Sequence, residues 1–232
     1  MLVPSLPEAL HGLLTMNSSA SEPEHVVQRI ATVAWLAIGL GLAVQILIVV
    51  TKLVFGSDLP GVGFLASLAQ GVTWSVVVCV GIAVGTVIMR ASVTIAGVLG
   101  FVCAPLALGL ARGAQRGVNE LIGEPVGTVT ASLALIALLK AFQYGLLGFL
   151  LARLVRRHVD RARPYLILGA ISGVVFGGII VTATALSATS SGAELTMPDL
   201  AGLTVNELLF PIGCAMVVFT AQSVARFARP AS

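Results

Sequence analysis

Six stretches dominate this chain, at about 31–54, 72–89, 92–111, 128–151, 165–187 and 205–225, each long and apolar enough to cross a bilayer. Crossing the hydrocarbon core takes roughly 20 apolar residues at 1.5 Å rise per residue. Away from their ends, the one ionised side chain they carry is Lys140. A water-soluble domain has about 25% charged residues, whereas only 10% of these 232 residues are charged and 57% are hydrophobic. That composition excludes both a disordered chain and an ordinary soluble globule. No run alternates apolar and polar with period two, so a membrane barrel is excluded as well. The expected fold is all-α, a polytopic bundle of six transmembrane helices.

The basic residues set the expected orientation. Nine of the 13 fall on one side: Arg29, Arg90, the run Arg153, Arg156, Arg157, Arg161 and Arg163, and Arg226 and Arg229. Only Lys52, Arg112 and Arg116 fall on the other, together with Asp58, Glu120, Glu124, Glu194 and Asp199. Both termini are therefore expected to be cytoplasmic, with a tail over 1–30, a membrane domain over 31–225 and a short tail over 226–232. Residues 1–30 lack the basic start of a signal peptide. Asn17 to Ser21 reads as a linker, and Ser21 to Glu24 has the S-x-x-E form of a capping box that would start the first helix. Arg90 and Ala91 alone separate the second and third stretches, which implies a tight helical hairpin. Trp35 and Trp74 sit near span ends, where interfacial aromatics belong.

The connections on the expected outer side, Gly56–Gly71, Arg112–Gly127 and Ser187–Thr204, are longer than the inner ones apart from the basic fourth. The first contains an apolar run, Leu59–Leu68, too short to span, which reads as interfacial or re-entrant. Such loops are the expected place for solute recognition. Val118-Asn119-Glu120-Leu121 recurs as Val205-Asn206-Glu207-Leu208, a weak echo of the kind that internal duplication leaves.

Gly169, Gly173 and Gly177 repeat every four residues on the fifth stretch, and Gly81 and Gly85 form a shorter version on the second. Spacing of four places them on one helix face, where a missing Cβ lets another backbone approach. A helix-packing role, within the chain or against a partner, is expected.

Lys140 falls near the middle of the fourth stretch, where a charge costs several kcal/mol or more. Gln143 and Tyr144 follow at i+3 and i+4 and share its face, which should point into the bundle or a wet cavity. The stretches offer no midplane Asp or Glu, so three readings stand. The amine is locally hydrated and bonded to Tyr144, Gln45 or a backbone carbonyl; an anionic ligand neutralises it; or a carboxylate of a partner subunit does. Thr204-Val205-Asn206-Glu207 has the form of a second capping box, which alone accounts for Glu207. The other reading makes Asn206 and Glu207 an outward-facing polar site with Asn119 and Glu120.

Cys79, Cys103 and Cys214 all lie in apolar stretches and read as small hydrophobes. The three histidines, His11, His25 and His158, lie outside the stretches, so neither haem nor a metal site is expected and no cofactor is assigned. No protease, hydrolase or P-loop pattern occurs, and no enzyme activity is expected. Nucleic acid is not an expected partner, because the basic residues follow topology. The expected function is a non-enzymatic solute transporter or substrate-binding subunit of the cell membrane that works with partner proteins, and a small anionic solute is one candidate ligand. The alternative is a structural or assembly subunit, held to another membrane protein or to itself through its glycine stripes and lysine. In size and topology the chain is similar to the substrate-binding membrane components of energy-coupling-factor vitamin transporters, without a shared motif.

Overall fold

The computed structural model describes residues 6–88, 92–123, 133–190, 192 and 195–227. They form α1 (Leu6–Val54), α2 (Phe64–Ala83), α3 (Val93–Ile122), α4 (Leu133–Arg156), α5 (Ala162–Ser172), α6 (Gly178–Ser190) and α7 (Met197–Phe227). A π-helical turn, Val84–Ile88, extends α2, and another, Gly173–Gly177, joins α5 to α6 as one span. Six helices are thus long and apolar enough to cross a membrane, with no strand among the described residues. The architecture is all-helical and compatible with a multi-pass membrane protein.

The spans form a ring in chain order. Each packs on the next, and α7 closes the circle against α1, with the contact between α4 and α5 the thinnest seam. The second, fourth and sixth spans bury about twice the share of their surface that the other three do, so α2, α4 and α7 make the inner layer. Outward-facing Trp35, Ile46, Leu106, Phe142, Val174 and Leu186 leave an apolar perimeter that suits lipid tails better than water. α1, α3 and α6 end, and α2, α4 and α7 begin, at one end of the ring, called here the Lys52 end.

The helices outrun their apolar stretches, because hydropathy registers the hydrocarbon crossing and not the whole helix. α2 begins at Phe64, so the end of the supposed interfacial run is its first turn. α3 continues through Arg112 and Arg116 to Ile122 and stops at Gly123, whose φ of 71° is the left-handed conformation glycine tolerates at a helix C-terminus. α7 begins at Met197, about two turns before the expected start. Thr196 caps it, its Oγ1 accepting from the Asp199 backbone N–H and donating to the Asp199 carboxylate at 2.7 Å. The T-x-x-E at Thr204–Glu207 is therefore not a cap but lies inside the helix.

Two expectations near the N-terminus also change. The backbone of α1 is helical without a break from Leu6, so Asn17–Ser21 is no linker and Ser21 starts no helix. Serine and asparagine cost only about 0.5 kcal/mol each in a helix, which a long helix absorbs. The hairpin at Arg90-Ala91 lies outside the described residues. Ser92 caps α3 beyond it, its hydroxyl accepting from the Ile95 N–H at 3.2 Å.

Glycines set the close approaches. A Cβ at Gly169 would stand 2.6 Å from Ile212 Cα and one at Gly173 2.6 Å from the Leu208 carbonyl oxygen, both backbone atoms of α7. Gly177 faces the Glu207 backbone in the same way. Gly81 meets Cys103 and Gly85 meets Ala96, which brings α2 onto α3. A second set, Gly97 and Gly100 against Gly145 and Gly148, seats α3 on α4. Its G-x-x-G spacing on both helices was visible in the sequence but went unread.

Candidate functional site

Lys140 stands about two turns inside α4 from Leu133, and Glu207 about three turns inside α7. The ring brings them together. Lys140 Nζ donates to both Glu207 oxygens at 2.8 Å, with side chains 8% and 4% exposed. The lysine therefore has a counter-ion in its own chain, which corrects the expectation that it had none. The misplaced start of the sixth span put Glu207 at a helix terminus and hid the pairing. Asn206 Nδ2 adds a 3.2 Å bond to Glu207 Oε1. Pro211, four residues on within α7, has no N–H, so the Glu207 carbonyl lacks its helical donor.

Trp74 covers the pair. Its ring centre is 4.8 Å from Lys140 Nζ, within the range where a cation is drawn to an aromatic face. Tyr144 and Phe210 pack edge-on against it, with centroids 5.6 and 6.2 Å away. Trp74 is buried, not the interfacial anchor its place in the sequence suggests, whereas Trp35 is exposed on the outside of α1.

Above the pair a cavity of about 520 Å³ rises toward the Lys52 end, and every one of the six spans contributes to its wall. Lys140, Asn206 and Glu207 lie at its inner part beside Trp74, and Lys52 and Asp199, paired at 2.7 Å, lie near its mouth. The residues expected in outer loops are helical wall: Arg112, Gln115, Arg116 and Asn119 line it from α3. Glu120 is exposed and does not line it. Ile136 and Ile180 supply apolar wall.

Of the five residues assigned to ligand binding from sequence, the cavity thus brings together Lys140, Asn206 and Glu207. Gln143 and Tyr144 share the buried face of α4 but do not line it. Gln143 reaches α5 instead, its Nε2 donating to the Ser172 carbonyl at 3.4 Å, while its Oε1 and the Ser172 hydroxyl have no partner among the described residues. That contact abuts the π-turn at Gly173. The repeated V-N-E-L does not mark equivalent positions. Its first copy closes α3 at its C-terminal end, whereas its second begins about two turns inside α7.

Sequence reasoning missed Trp74, Arg112 and Arg116. The last two were assigned by charge to a membrane-flanking loop. Their spacing with Gln115 and Asn119 would have revealed one helix face had α3 been extended past residue 111.

No family model, curated protein or solved structure matches this chain.

Proposed function

We propose that this chain is a non-enzymatic solute carrier or substrate-binding subunit of the cell membrane, with both termini cytoplasmic, and that it works with partner proteins. The single observation behind this reading is the cavity of about 520 Å³ that all six spans line and that the Lys140–Glu207 pair and Trp74 bound on the inside. Small-ligand sites occupy about 300–1,000 Å³, with mostly apolar walls and a few placed polar groups. A chain that only fills space in an assembly has no need to hold two ion pairs and several side-chain amides around one opening.

The assembly reading drew on two features that are used inside the chain. The glycine stripe of the fifth span seats on α7, and Lys140 is neutralised by Glu207. Neither is left over for a neighbour, which favours the solute reading.

The test is ligand-dependent stabilisation of the purified protein in nanodiscs, screened against small solutes of every charge class. A binder should raise the melting temperature and lose its effect in Ser67→Trp, since Ser67 lies on the cavity wall and is only half-buried. If no solute of any class stabilises the wild-type chain, and mild-detergent purification instead yields a stoichiometric membrane partner, the assembly reading replaces this one.

A further inference from the structure

Six charged side chains line the cavity, four of them basic. Both carboxylates are engaged by lysines, Glu207 with Lys140 and Asp199 with Lys52. The two remaining cations, Arg112 and Arg116, have no acidic partner among the described residues. They stand one turn apart on α3 with Gln115 between them, and all three face the cavity.

Like charges at i and i+4 on a helix repel. Nothing in the packing requires a second arginine here, since Arg112 is only half-buried and Arg116 is exposed. A guanidinium offers donors in a planar fork that matches the two oxygens of a carboxylate or phosphate. Two such forks one turn apart relieve their repulsion by sharing an anion. Lys140, by contrast, is spent: both of its short contacts go to Glu207, so it is not the group that takes an anion.

Resting on the solute-binding reading above, we infer that Arg112 and Arg116 form an oxyanion subsite of this cavity. The ligand carries a carboxylate or phosphate held between the two guanidinium groups, with the amides of Gln115 and Asn119 beside it. The rest of the ligand extends toward Ile136, Ile180 and Trp74. The same chemistry can arrive on a free organic anion or on a phospholipid headgroup.

The full chain in phosphatidylcholine nanodiscs, at constant ionic strength, separates these sources. Succinate and inorganic phosphate are titrated by calorimetry and by melting temperature, with neutral succinamide as the isostere. A third arm replaces part of the lipid with phosphatidylglycerol and adds no solute. The expected result is that succinate or phosphate binds, succinamide does not, and Arg112→Gln/Arg116→Gln weakens binding at least tenfold. Arg112→Lys/Arg116→Lys keeps the charge but loses the fork and should fall between. It also serves if the glutamine variant does not fold. Stabilisation by phosphatidylglycerol alone, lost in the arginine variants, keeps the oxyanion subsite, assigns it to a headgroup and removes the solute reading. Binding of succinamide, or of any anion, that is indifferent to both arginine variants overturns the subsite and leaves the solute reading in place. If neither free anion nor anionic lipid has an arginine-dependent effect, the subsite is likewise overturned.

Discussion

Lys140 and Glu207 form a two-pronged ion pair, both contacts at 2.8 Å, between helices α4 and α7 whose spans are separated in sequence by the whole fifth span. Each side chain is buried, and the ring of Trp74 and the amide of Asn206 complete the surroundings. Taking two charges out of water is expensive, and the attraction between them offsets that cost only with good geometry and further hydrogen bonds. The pair is therefore a site where loss of one member is far worse than loss of both.

Lys140→Met or Glu207→Met alone should destabilise the protein by about 3–5 kcal/mol, because each strands a buried charge. The double variant, with two apolar side chains of similar volume, should recover most of that loss. Unfolding in mixed micelles, analysed as a double-mutant cycle, measures the coupling. Additive losses would mean that the two groups do not depend on each other.

The glycine contacts predict opposite signs within one span. Gly173→Ala pushes a Cβ onto the Leu208 carbonyl, and overpacking of that kind costs about 1–3 kcal/mol. Gly178→Ala, five residues on, meets nothing within 4 Å. It should stabilise by up to about 1 kcal/mol, since alanine is the better helix former. Thermal melts of the two single variants check this. A stabilised Gly173→Ala would show that α5 and α7 do not approach as described.

The spans and the glycine stripe were legible because each rests on a local pattern: run length, composition or spacing of four. The polar face of α4 was legible for the same reason, since Lys140 and Tyr144 differ from their neighbours at helical spacing. Glu207 was misread because its partner lies on another helix and because Asp199, Thr204 and Asn206 lower the hydropathy of the first turns of α7. The apolar stretch therefore starts about two turns later than the helix, at a point where T-x-x-E also has the form of a cap. Arg112 and Arg116 were misread by the same error at the other side of the cavity. Polar side chains on a cavity wall and polar side chains in a loop look alike to composition, and only the continuity of the helix tells them apart.

Cys79 on α2 and Cys214 on α7 are buried with their sulfurs 3.2 Å apart, both as free thiols. Treatment with copper-phenanthroline should remove two hydrogens, reduce two equivalents of Cu(II) and join the two helices by a disulfide. Peptide mapping by mass spectrometry should find that cross-link, with Cys103, which packs against Gly81 on α2, still free. A Cys103 cross-link in preference to Cys79–Cys214 would place α2 against the wrong neighbour.

The two tryptophans report on opposite surroundings. Trp35 is 73% exposed on the outside of α1, whereas Trp74 is 7% exposed inside the ring over Lys140. In a bilayer the outside of α1 faces lipid, so brominated acyl chains should quench Trp35 strongly in the Trp74→Phe variant. In Trp35→Phe the same lipids should quench Trp74 weakly, because α2 is an inner span and its indole is walled in by Tyr144 and Phe210. The ammonium above that indole adds a second readout. Removing it in Lys140→Met/Trp35→Phe should shift the Trp74 emission, since the charge acts directly on the ring. Equal quenching of both residues by lipid, with no response of Trp74 to the loss of Lys140, would mean that α2 lies at the perimeter and that the cavity has no such inner wall.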